Sequence, residues 1–421
     1  MKRTCAAVAL AMCVSVPARG QGPSTEGVSL TQAIALALAR EPATRSARAD
    51  VEMARAMRMQ AGLRANPTVS LEQRQEPGGS DSATEVGVEW PLELFRRGPR
   101  VAVADAELRV AEFEESELRR QLAVDVSVAY GEAAAAGRQL AILDEVLAAA
   151  TKQLELLRAR ATQGSVPTLD RDMVDVEVRR IQAERLVHVG RADRALVRLR
   201  RLLALPPDAP LRTTQALDEL MASLPGGDPP GAARPDLLAA QGRVRVEEQR
   251  LESARSEGRT DVTVFANYMR MDAGFPQRGF GSGGGLERVR GQFNYLTAGA
   301  MITIPLWNRQ QGTIAAAVAA LQGAEARLEA VQQNVAAEAA EARAWYEQAR
   351  RAVALYADGM RPLARRNLDT VRETYELGRA TIADVLAEQR RYLDVERAYT
   401  DALVEAYASA VSLRRATGEL R

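Results

Sequence analysis

The chain has 421 residues, a formal net charge of +1, 47% hydrophobic content and only 4% aromatics. One histidine and two cysteines exclude a His/Cys zinc site, a Cys–His nucleophile and a disulfide framework. The 56 basic residues, all Arg except Lys2 and Lys152, are matched by 55 acids, which argues against a nucleic-acid footprint.

Residues 1–20 read as a secretory signal peptide. Lys2 and Arg3 precede an apolar run from Ala6 to Val16, and Ala18-Arg19-Gly20 supplies a small-x-small cleavage site. The alternative is lipidation of Cys13 after cleavage, with Met12 a poor fit where a small residue is expected. Cleavage removes both cysteines and three positive charges (Lys2, Arg3 and Arg19). Nothing downstream offers about 20 consecutive apolar residues, so any membrane role falls to strands.

The rest of the chain repeats. Pro91-Leu92 followed by Gly98 recurs as Pro305-Leu306 followed by Gly312. Gly164 and Asp170 recur at the same offset as Gly378 and Asp384. This predicts two tandem halves, 29–204 and 235–418, joined by a Pro/Gly-rich connector at 205–234.

In each half the elements come in one order. Residues 30–65 predict a helix closed by Pro67. Two strands follow: 68–76, then a run in which Val86, Val88, Trp90, Leu92 and Leu94 face one way and Glu85, Gly87, Glu89 and Glu93 the other. In the second half Leu296, Ala298, Ala300, Ile302, Ile304 and Leu306 share a face. The partner strand 261–271 is less regular, with Phe265 and Met269 out of phase, and 272–291 predicts a long loop. Helices of about 65 residues then run from Gly98 to Gly164 and from Gly312 to Gly378, roughly 100 Å each. Leu140, Leu143, Leu147, Ala150, Leu154 and Leu157 mark a left-handed coiled-coil seam. Turns at the two glycines return the chain as helices 168–204 and 381–417.

A hairpin with one apolar and one polar side suits a membrane barrel. Two hairpins are too few to enclose an interior, whereas three copies would supply twelve strands. Trp90, Phe95 and Trp307, where strand passes into helix, are expected at the membrane interface. His188 and the methionines Met53, Met57 and Met59 read as ordinary helix residues, and Gly279-x-Gly281-x-x-Gly284 as a loop rather than a nucleotide fingerprint. No nucleophile–base pair stands out, and no enzyme activity or cofactor is expected.

The two-fold order of helix, hairpin, long helix, Gly turn and return helix resembles the TolC family of outer-membrane efflux ducts. SLTQAIALALAREP, QAGLRANPTVSLEQ, WPLELFRRGPR and IPLWNRQQG are similar to its CzcC-like branch, associated with heavy-metal pumps. The resemblance implies a mainly α fold with membrane β: a homotrimer with a 12-stranded outer-membrane barrel in lipid and a periplasmic α-helical barrel. Its implied partners are a periplasmic adaptor and an inner-membrane resistance–nodulation–division pump. It implies adaptor docking at Gly164, Ser165 and Val166 and at Gly378, Arg379 and Ala380. It also implies a closed end held by Tyr375 and Asp170 and a constriction lined by Asp384. Thr381-Ile382-Ala383-Asp384 is equally a helix-capping box. The family's second acidic ring is Ala387 here, which argues against strong cation selection at the mouth. A drug or type I secretion duct of the same fold and a periplasmic coiled-coil scaffold remain alternatives.

Overall fold

A computed structural model describes residues 27–77, 81–223, 234–280 and 283–418. The signal-peptide region, including Cys13, and residues 224–233 of the connector lie outside them.

The first predicted helix is two. Helix α1 (Leu30–Arg40) opens on a capping box. The Ser29 hydroxyl accepts from the Gln32 N–H at 3.3 Å, and Gln32 Oε1 accepts from the Ser29 N–H at 3.0 Å. Pro42 forces Glu41 into extended backbone, and α2 (Pro42–Gly62) starts anew with proline in its first turn.

Strands β1 (Thr68–Gln75) and β2 (Ser82–Pro91) form an antiparallel hairpin. Helix α3 (Arg97–Thr162) then runs for 66 residues, roughly 100 Å. Helix α4 (Thr168–Leu202) returns antiparallel beside it. The connector holds an unforeseen short helix, α5 (Leu217–Ser223). Its approach is tied down by Tyr130 of α3. That hydroxyl donates to the Val28 carbonyl at 2.8 Å and accepts from the Thr214 and Gln215 N–H groups at 3.2 and 3.3 Å.

The second half repeats the order with α6 (Pro235–Glu257), β3 (Asp261–Phe280), β4 (Leu286–Thr303), α7 (Gln311–Ala354), α8 (Arg361–Glu376) and α9 (Ile382–Thr417). Between α7 and α8 the helix widens into a π turn, Leu355–Met360. Pro362 explains it, because a proline ring in an α-helix collides with the carbonyl four residues back, here Asp358. No such break divides α3.

The strands form one antiparallel sheet in the order β1-β2-β3-β4, so the two halves join through β2 and β3. Within the chain β1 and β4 are its open edges. The loop expected at 272–291 is a correction. Strands β3 and β4 stay paired as far as Phe280 opposite Leu286, with an irregularity between Gly274 and Arg278. The second hairpin therefore outruns the first by a long two-stranded extension.

Most buried side chains gather in two places along the shaft, with a small third cluster of Ala342, Leu413 and Ala416. Ala33, Ala37, Tyr130, Leu199, Leu220 and Tyr407 belong to one cluster, near the connector. Leu143, Leu154, Ile181, Leu368, Val385 and Leu393 belong to the other, toward the helix turns. Alanine in these seams lets the backbones approach. No helix among the described residues is long and apolar enough to cross a membrane.

Candidate functional site

The two helix turns share one construction. Gly164 (φ 72°) and Gly378 (φ 73°) adopt the left-handed conformation that terminates a helix. In the first, the Gly164 N–H donates to the Ala161 carbonyl and the Ser165 N–H to the Arg160 carbonyl, at 3.0 and 2.9 Å. In the second, Gly378 donates to Tyr375 and Arg379 to Thr374, both at 2.9 Å. Ser165 and Arg379 are exposed, whereas Val166 and Ala380 are half-buried. Tyr375 is thus fixed by its own turn, its carbonyl inside the motif and its ring against the distal core.

The aspartates after these glycines do different jobs. Asp384 closes a capping box: its Oδ2 accepts from the Thr381 N–H at 2.9 Å and from the Thr381 hydroxyl at 2.6 Å. The hydroxyl bond, then the backbone bond, hold its carboxyl below the usual aspartate range. Helix α4 has Pro167 as its N-cap and no side-chain cap. Asp170 is therefore not occupied in capping; half-buried, it makes no side-chain hydrogen bond or ion pair among the described residues. It lies near Tyr375. Burial pushes the Tyr375 hydroxyl pKa up, the Asp170 charge adds to this, and Arg160 opposes it. No hydrogen bond joins Asp170 to Tyr375 among the described residues.

At the other end the sheet has two distinct faces. Register places Val69, Val88, Ala266 and Ala298 in one row, and Leu71, Val86, Tyr268 and Leu296 in the next. Opposite them lie Thr68, Glu89, Phe265 and Gly299, then Ser70, Gly87, Asn267 and Thr297, then Glu72, Glu85, Met269 and Tyr295. Residues 265, 267 and 269 are half-buried while 266, 268 and 270 are exposed, as on the concave and convex sides of a curved sheet. The irregular phase of Phe265 has a local reason. Its ring covers Gly299, where a Cβ would stand 2.8 Å from Phe265 Cζ.

The three aromatics singled out by sequence lie near the shaft end of the sheet. Trp90 is paired with Val264 and donates its Nε1–H to the Ala65 carbonyl at 3.0 Å. Phe95 lies 5.6 Å beneath the Arg259 guanidinium, and Trp307 is 87% exposed. Tyr268 was not anticipated; it borders the apolar rows at their other end, donating to Asn294 Oδ1 at 2.8 Å. Among the described residues no group of three or more His, Cys, Asp or Glu side chains could hold a metal ion.

The chain thus combines an amphipathic sheet with a twice-repeated helical shaft. The family described as outer membrane efflux protein matches residues 33–205 and 232–419. The chain belongs to this family. The efflux protein is similar to the nickel-cobalt-cadmium resistance protein NccC of Alcaligenes xylosoxydans xylosoxydans. They are 26% identical over 333 residues, 78% of this chain and 71% of NccC. Its fold matches that of CusC with a TM-score of 0.72 at 18% identity, covering 92% of this chain and 91% of CusC. For VceC of Vibrio cholerae the values are 0.66 and 20%, covering 92% and 96%. The fold is TolC-like. The efflux protein is an outer-membrane protein whose helices form its periplasmic part.

Proposed function

We propose that the efflux protein is the outer-membrane duct of a tripartite system exporting divalent heavy-metal cations. Its similarity to NccC carries the choice of substrate. Three copies would pair β4 of one with β1 of the next, closing twelve strands into a barrel. The two open edges support this, since unpaired backbone groups are costly in lipid. Trp90, Phe95 and Trp307 would lie at the periplasmic interface and Tyr268 at the outer one.

The duct supplies passage rather than chemistry or energy, which come from a resistance–nodulation–division pump acting through a periplasmic adaptor. The adaptor would dock on the turns at Gly164, Ser165 and Val166 and at Gly378, Arg379 and Ala380. Tyr375 and Asp170 would hold the closed mouth, with Asp384 at the constriction. Both acids sit at the tips of paired helices, and Asp170 is spared a capping role. The scarcity of soft ligands suits a conduit that does not retain its cargo.

Deleting the gene and scoring growth on nickel, cobalt, cadmium, zinc and copper beside a panel of drugs tests this. Sensitivity to divalent cations, restored by the intact gene, is expected. Sensitivity confined to drugs would overturn the metal assignment, and absence of the protein from the outer-membrane fraction would overturn the duct.

A further inference from the structure

The convex face of the sheet changes chemistry abruptly beyond Tyr268. The next row contains Gln73, Thr84, Arg270 and Asn294, and the one after it Gln75, Ser82, Asp272 and Gln292. Strands β3 and β4 then continue alone. Arg290 stands opposite Gly274, and Arg278 opposite Arg288 at a register position of the same face. Arg270, Arg278 and Arg290 therefore share the convex face beyond the apolar rows with one acid, Asp272. Glu287, in the extension itself, pairs with Gly279 on the opposite face. Asp81, at the tip of the first hairpin, is engaged by the Gly274 N–H at 2.8 Å.

This concentration is not what the composition supplies. Acids and bases balance almost one to one over the whole chain. Along the shaft most arginines with close partners are paired within or between helices, as in Arg250 with Glu247 and Glu107. Here Arg278 and Arg290 are exposed and make no hydrogen bond or ion pair with any described residue. Arg270 reaches only Gln292 and, at 3.9 Å, Asp272. Arginines gathered on one face with so little acid to neutralise them call for an anion from outside the chain.

We propose that this arginine strip binds the phosphate groups of the outer-leaflet glycolipid, lipopolysaccharide. The proposal rests on the outer-membrane placement of the sheet, and position selects the ligand. The strip continues the face that meets lipid, not the one that lines the lumen. Each row is roughly 7 Å along the strand, so Arg270 stands one row beyond the apolar band and Arg290 three rows beyond Leu296. With strands tilted by about 40° these rows span the headgroup depth rather than the acyl chains. Arginine suits the task, because its planar fork grips phosphate oxygens in pairs and its stem follows apolar surface. Tyr268 at the boundary would pack against the first acyl carbons.

Native mass spectrometry of the full-length protein in detergent tests the strip. The probes are bisphosphorylated lipid A, its dephosphorylated counterpart and inorganic phosphate. The unaltered protein should retain the bisphosphorylated lipid in clear preference to the dephosphorylated one. Arg270→Gln, Arg278→Gln and Arg290→Gln combined should weaken that retention on the order of ten-fold or more. Arg74→Gln, on the concave face, should leave it unchanged; its preserved mass and assembly would show that a single Arg→Gln change is tolerated. Equal retention by the triple variant and the unaltered protein would overturn the proposal. So would displacement of the lipid by an equal concentration of inorganic phosphate. Loss of lipid preference in a protein that still fractionates with the outer membrane refutes the strip alone; failure to fractionate there refutes the placement.

Discussion

Arg361, the first residue after the π turn, sets its Nε 2.6 Å from Glu396 of α9, a carboxylate whose side chain is only 2% exposed. Arg138 of α3 reaches the other oxygen of Glu396 at 3.1 Å. The same two guanidinium groups enclose the Tyr399 ring, at 5.0 and 5.1 Å. The Tyr399 hydroxyl donates to Asp218 of α5 at 3.1 Å, so one buried acid ties together three helices and the connector. Replacing Glu396 with Ala leaves Arg361 without its carboxylate and Arg138 with Asp218 alone. Removing one side of a fully buried pair costs about 3–5 kcal/mol, and the solvent reaching Arg361 and the Asp218 left to Arg138 bring the cost below that. Thermal melting followed by helical circular dichroism should show a lower midpoint, whereas Arg351→Ala, on an exposed pair, should leave it unchanged.

Glu177 of α4 is a second buried acid, accepting from both Arg180 and Arg390 through two nitrogens each. Burial pushes its pKa up, but the Arg180 and Arg390 bonds outweigh that and hold it below the usual carboxylate range. A group lowered in the folded state contributes fully above its unfolded pKa and loses that contribution as pH falls through the folded one. The melting midpoint should therefore fall as the pH drops below about 4. Glu177→Gln should flatten this dependence; parallel curves would refute the assignment.

Gly378 has its φ at 73°, where an alanine is strained by about 1–2 kcal/mol. Gly378→Ala should raise amide hydrogen exchange in the segment from Thr374 to Asp384 while the midpoint of α9 stays protected. Slow exchange at the turn in the variant would contradict the role given to the glycine.

The proposed closed mouth makes its own prediction. Tyr375→Phe and Asp170→Ala should each raise single-channel conductance in planar bilayers, since each removes one polar group of the proposed pair. Asp384→Ala should act differently, weakening the start of α9 through loss of its capping box, by about 1 kcal/mol. Unchanged conductance in both of the first two variants would sink the gate.

In the sheet, Gly299→Val should reduce the yield of folded channel, because the added carbons meet the Phe265 ring. Phe265→Ala in the same chain should restore part of it. The yield is read as protein extracted by detergent from outer membranes.

Much of this architecture was legible because its periods are pure. Val86, Val88 and Trp90 alternate without interruption, and the repeated Gly164 and Gly378 mark both turns. The extension of β3 and β4 was not legible. Its glycines read as loop, and its arginines occupy the alternate positions where apolar residues had signalled strand. Pro362 lies in an otherwise helical pattern, and its π turn shows only once the ring's clash is set against the continued helix. Arg361 and Glu396 carry no local signature at all, since they belong to different helices. The pairing of Asp170 with Tyr375 came from resemblance and stays a proposal, while the division of labour between Asp170 and Asp384 needed the capping geometry.

In the proposed trimer, the sheet's two open edges make each copy a hostage to its neighbours. A single protomer in lipid would leave the β1 and β4 edges without partners, so insertion and assembly become one event. Such a protein has unusual genetics: a copy whose β1 edge is blocked, for instance by Val69→Pro, can still offer β4 to a normal neighbour. When both copies are made in equal amounts, only about one ring in eight escapes the altered subunit if mixing is random and unpaired edges are excluded from lipid. Variants at the edges should therefore be dominant over the normal gene, and variants along the shaft far less so.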